Sequence, residues 1–253
     1  MADIANPVLI GLLAGLIPVY LGLMPLPLFR RIPPRWRSLL LSFSTGILLF
    51  LFADVLGESA ELAEASWAGP ALLAVGLVLG LVGPALAFHH RHGEDAVQSP
   101  SGSHSTKGSD PRLSAAYMIA LGIGLHNFGE GLALGAAYVA GEFALTTALV
   151  IGFALHNGTE GLGIAGPVAD MPIRLREPLM LGFVAGFPTV LGSVVGSLAY
   201  SDVLGVVFFA AAGGALLFVS VELLKLSSSP RSTFAGIALG ILLMYLTELL
   251  VAV

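Results

Sequence analysis

HNFGEGLALG, from His126 to Gly135, and HNGTEGLGI, from His156 to Ile164, are the stretches on which the reading of the fold turns. Both follow the pattern H-N-x-x-E-G, at an offset of 30 residues, and each sits in the middle of a long apolar run. At about 100° per residue, positions i and i+4 share one helix face and stand about 6 Å apart along the axis. His126 with Glu130, and His156 with Glu160, therefore form two combs of two ligands each. The numbers of His126 and Glu160 have the same sum as those of Glu130 and His156. Folding two antiparallel helices about residue 143 thus sets His126 level with Glu160 and Glu130 level with His156. Gly141-Glu142-Phe143 is the turn expected there.

The rest of the chain says what solvent surrounds these combs. Of 253 residues, 56% are apolar and only 11% charged, against about 25% charged in a soluble domain. The mean hydropathy is +0.92. An all-α integral membrane protein follows, and a separate soluble catalytic domain has no room. With about 20 apolar residues per crossing, the runs divide into eight transmembrane helices at 6–29, 38–57, 67–88, 112–140, 143–166, 177–200, 202–225 and 232–252. Residues 1–253 then form a single transmembrane domain. The N-terminus lacks the Lys/Arg region of a signal peptide and is expected to be retained. The 32 Gly and 15 Pro suit closely packed, interrupted helices. Without cysteine, any soft metal has to be held by His and carboxylate.

All eleven Lys and Arg fall in alternate connections: after span one, between three and four, between five and six, and between seven and eight. The positive-inside rule places those connections in the cytoplasm and both termini outside. The long polar stretch at about 89–112 reads as a flexible cytoplasmic loop. Its His89, His90, His92 and His104 are either solvated or a weak metal-collecting site.

An ionisable group at mid-bilayer costs about 2.5–3.5 kcal/mol on insertion scales, so two His and two Glu at mid-span ask for compensation. A divalent cation supplies it, since two carboxylates and M²⁺ sum to zero charge. The His₂Glu₂ set suits the tetrahedral preference of Zn²⁺ and remains acceptable to Fe²⁺, Mn²⁺ or Cd²⁺. The bland alternative is interhelical hydrogen bonding alone.

On these motifs the chain resembles the ZIP (Zrt/Irt-like) metal transporters, in particular the short prokaryotic-type members. HNFGEG is close to the family's span-four signature, and HNGTEG stands where its span-five signature falls. The resemblance implies a ZIP-like bundle in the plasma or inner cell membrane that takes up divalent metal toward the cytoplasm. His126, Glu130, His156 and Glu160 would be the primary ligands, with Asn127 and Asn157 beside them. Members with a two-metal centre commonly carry an acidic residue just after the first span-five ligand and a Glu on span six. Here Asn157 and Thr189 take those places, so a second site should be weak.

Further polar residues invite roles. Asp54, followed by Glu58, Glu61 and Glu64, reads as an acidic vestibule or a solvated helix end. Glu222 would serve metal exit or pair with Lys225 at i+3. Glu248 reads as interfacial, and Thr146, Thr147 and Ser220 as interhelical hydrogen-bonders. The partners expected are the divalent ion and the lipid bilayer, with no nucleic acid, and a homodimer is allowed. No catalytic cofactor is expected, the metal being the transported substrate. The rival functions are an intramembrane zinc-dependent hydrolase and a static metal sensor. Neither comb has the H-E-x-x-H order with a free glutamate base that a zinc hydrolase needs.

Overall fold

Lipid offers no hydrogen bonds to the backbone, so each crossing segment has to satisfy its own N–H and C=O groups. The computed structural model describes residues 5–29, 36–97, 110–169, 171–199, 201–226 and 230–251, and among them there is helix and no strand. The first span is built in pieces: α1 (Ala5–Gly11), a π-helical turn (Leu12–Leu16), α2 (Ile17–Leu23) and the short α3 (Leu26–Phe29). Seven long helices follow: α4 (Arg37–Glu64), α5 (Gly69–Val97), α6 (Pro111–Val139), α7 (Phe143–Ala165), α8 (Arg176–Ala199), α9 (Asp202–Leu226) and α10 (Pro230–Val251).

Six segments are long and apolar enough to cross a membrane by composition: the first span, α8, and stretches of α4, α5, α9 and α10. The other two long helices, α6 and α7, carry the combs, and their His and Glu lower the hydropathy that would mark them as spans. At 29 and 23 residues and 1.5 Å per residue, both are long enough to cross a hydrocarbon layer of about 30 Å. The protein is a multi-pass helical membrane bundle.

Two boundaries differ from the sequence expectation. Helix α4 ends at Glu64 rather than near residue 57, because the strong helix formers of Glu58–Glu64 carry the ladder on past the apolar stretch. Glu58, Glu61 and Glu64 thus stand on a helix and not in a connection. Helix α5 likewise continues to Val97, so the backbone of His89, His90 and His92 is helical where a loop was expected. The next proline is Pro100, and up to it only Gly93 weakens the helix. The side chains of those three histidines, and the whole of His104, lie outside the described residues.

The start of α6 is written locally. Asp110 caps it by accepting from Arg112 N at 2.9 Å, and Pro111 occupies the first turn, where no N–H is needed. Helices α6 and α7 are joined by a tight turn in which Gly141 has φ +78°, a conformation that disfavours any side chain. Helix α6 packs backbone to backbone on α8. A Cβ at Gly131 would collide with Thr189 O and Ser193 N, and one at Gly192 would collide with Phe128 O. This seam presses the comb-bearing stretch of α6 against Ala185, Thr189 and Ser193.

Candidate metal centre

Helix α6 supplies His126, Asn127 and Glu130, and α7 supplies His156, Asn157 and Glu160. All six are buried. The expected pairing across the two helices is seen on one diagonal, where His126 Nε2 lies 3.8 Å from Glu160 Oε1. The same oxygen lies 3.7 Å from His156 Nε2, so Glu160 faces both imidazoles, whose ring centres are 5.5 Å apart. His126 Nε2 is also 3.3 Å from Glu130 Oε1. Glu130 uses its other oxygen to accept from Asn157 Nδ2 at 2.9 Å.

The two asparagines are held by backbone carbonyls. Asn127 Nδ2 donates to Ala185 O on α8 at 3.0 Å. Asn157 Nδ2 donates to Phe153 O at 2.9 Å and, across to the first span, to Ala14 O at 3.1 Å. The second acceptor is created by the sequence of the first span. Pro18 has no N–H to return to Ala14 O, as residue i+4 of a regular helix would. At the same place Ile17 N bonds Leu12 O, five residues back. The result is a π turn, a distortion common at functional sites, and Ala14 O accepts the asparagine amide there.

Burial leaves a set of polar atoms that make no well-directed hydrogen bond to the protein. They include both ring nitrogens of His126, Nε2 of His156, both carboxylate oxygens of Glu160, Oδ1 of Asn127 and of Asn157, and Oγ1 of Thr189. Unpaired buried polar atoms are costly. A cation touching the imidazole nitrogens and carboxylates removes that cost.

The centre opens on a cavity of about 400 Å³. Its wall carries Asp54, Glu58 and Glu61 from α4, spaced i, i+4, i+7 on one face, together with His126, His156 and Glu248. Ligand atoms of Asp54, His126 and His156 all lie within 4.8 Å of one another. Glu248, read from the sequence as interfacial, keeps a half-exposed side chain and also brings its Oε2 to 4.0 Å from His156 Nδ1. Only the fold of α10 against α7 shows this, and no local pattern announces it.

The remaining candidates sit as follows. Thr189 is fully buried on α8, its Oγ1 against Gly15 of the π turn. The Glu222 carboxylate is paired with Lys225 Nζ on the same helix. Thr146, Thr147 and Ser220 do not bond between helices as expected. Each hydroxyl donates to the carbonyl four residues earlier in its own helix, at 3.0, 2.8 and 2.8 Å, a local acceptor that is always within reach.

A helical membrane bundle that buries paired imidazoles and carboxylates beside an acid-walled cavity offers the ligand types that bind cations. The sequence matches the ZIP zinc transporter family over residues 82–248, a stretch holding both combs, Thr189 and Glu248. The chain belongs to that family, whose members are transporters of divalent metals such as zinc, not enzymes. No curated protein matches it.

Proposed function

We propose that the chain carries divalent transition metals, Zn²⁺ foremost and also Fe²⁺, Mn²⁺ or Cd²⁺, across the cell membrane toward the cytoplasm. His126, Glu130, His156 and Glu160 are its primary ligands, and residues 1–253 act as one transport domain. The observation that carries this reading is Glu160: fully buried, neither oxygen in a hydrogen bond, one of them 3.7 and 3.8 Å from the two imidazoles. A carboxylate in that position is expensive unless a cation joins it.

The direction rests on charge. The connection after α4 has no Lys or Arg, which puts the cavity wall of Asp54, Glu58 and Glu61 toward the outside. Carboxylates there raise the local cation concentration and feed the buried set. Uptake of a panel of divalent cations into proteoliposomes tests the proposal. Saturable flux of Zn²⁺ or a similar ion is the expected result. Tight binding without flux would make the protein a static metal sensor, and neither binding nor flux would overturn the site.

A further inference from the structure

A second cavity, of about 350 Å³, lies between α5 and α6 over α9 and has no part in the metal centre. Every residue that lines it is apolar or glycine. Helix α5 makes the opening. At Gly80 it is pressed against α9, where a Cβ would collide with Ala211 O. Three residues on, at Gly83, a Cβ would meet nothing within 4 Å. The parting falls at Pro84, inside the helix, which has no N–H to return to Gly80 O and bends the ladder there. Helix α6 stays on α9, since a Cβ at Gly122 would stand 3.4 Å from Leu216 and 3.6 Å from Ala215. The result is a groove with α5 and α6 as walls and the small side chains of Ala211 and Ala215 on its floor.

The lining and the volume select the occupant. Water needs polar partners to stay in a cavity, and this lining offers no hydroxyl, amide or charged side chain. A helix from a second copy is too large. One helical turn, about 10 Å across and about 5.4 Å long, already takes up on the order of 400 Å³. A single hydrocarbon chain fits. The groove opens between Leu79 of α5 and Leu121 of α6, which are 62% and 53% exposed on the outside of the bundle. In a membrane that surface meets acyl chains. Residues 79–84 lie toward the inner end of the apolar stretch Gly69–Leu86, the end followed by the connection that carries Arg91, Lys107 and Arg112. Lipid tails are as apolar as the groove, so what holds a chain there is packing. An empty groove forfeits dispersion contacts on its walls and floor, and a chain restores them.

We propose that the groove between α5 and α6 is a binding site for one acyl chain of a phospholipid, drawn from the leaflet on the side of the Lys- and Arg-bearing connection. The chain lies along the α6–α9 seam that also backs the metal centre: His126 follows Gly122 by one turn, its ring centre 6.2 Å from that of Phe209 on α9. The site does not depend on the transport reading. Its test is photolabelling of the protein in phosphatidylcholine vesicles doped with a phosphatidylcholine that carries a diazirine in mid-chain, followed by peptide mapping. Leu239 and Leu242 of α10, each 50% exposed, report ordinary contact with lipid. Label at Gly83, Leu121 and Gly122 should exceed label at those two leucines about tenfold, because the dispersion contacts of an enclosed chain add up. Gly83→Leu puts a side chain where a Cβ meets no atom, so it should fill the groove without disturbing the helices and bring the label down to the level of α10. Even labelling over the whole lipid-facing surface of the unmodified protein would overturn the proposal. So would groove label that persists in Gly83→Leu. Label missing from the groove, with cross-links between copies formed there by single cysteines at Leu79 and Leu121, would overturn it in favour of a second copy.

Discussion

The two combs are near copies in sequence and unlike in their surroundings. On α6, Glu130 is tethered by Asn157 Nδ2 and stands beside His126. On α7, Glu160 is untethered and faces both imidazoles, while His156 turns its Nδ1 toward Glu248 and the cavity. Asn127 is tied to α8, whereas Asn157 is tied to the first span. A repeated motif sets ligand spacing, but the neighbours that each copy meets decide its chemistry. Here one carboxylate is held by an asparagine amide and the other accepts no hydrogen bond.

That asymmetry makes the largest expected effect. Replacing either glutamate by alanine should abolish tight binding and flux, but the milder glutamine separates them. Glu160→Gln should lower Zn²⁺ affinity about a hundredfold, since it removes the charge both imidazoles share, and Glu130→Gln only about tenfold. Equal losses in equilibrium binding would erase the distinction between the combs.

Acid on the cavity side comes next. A free imidazole takes up a proton near about pH 6.5, and a protonated ring cannot ligate. Metal flux should therefore hold above that pH and fall about tenfold toward about pH 5 as protons displace the ion from His126 and His156. A flat profile in proteoliposomes over that range would mean that neither comb uses its histidine.

A smaller effect belongs to the wall of the cavity. Asp54→Asn should raise the half-saturating metal concentration about threefold with little change in maximal rate, the effect expected of a wall carboxylate that concentrates cations. Unchanged kinetics would leave Asp54 as a solvated helix side chain. The last effect is a change of stoichiometry. With Asn157 neutral, about one divalent ion should bind per chain, and Asn157→Asp should admit about one more by supplying the missing negative charge. Two fully occupied divalent ions in the anomalous scattering of the unmodified protein would show that Asn127, Asn157 and water donate more than neutral ligands are granted here.

Much of the fold and part of the centre could be read from residues alone, for identifiable reasons. The i, i+4 comb is a property of any helix, and the turn at Gly141 is dictated by numbering once two combs have to meet. The sequence did not reveal partners set by distant chain segments. Glu248 reaches His156 only because α10 packs on α7. Asp54, Glu58 and Glu61 line one wall only because α4 stays helical beyond its apolar stretch. The alternation of Lys and Arg implies an orientation, yet nothing in it points to the π turn of the first span.

That turn bears on how the protein can change over time. Pro18 denies Ala14 its regular helical bond, and Asn157 takes the freed carbonyl. A substitution such as Pro18→Ala would restore the one N–H that Ala14 O lacks and firm the helix locally, while inviting Ala14 O back into the ladder. The gain in stability would come with a looser asparagine. Under the proposed reading, a firmer scaffold at this turn would work against the asparagine it holds.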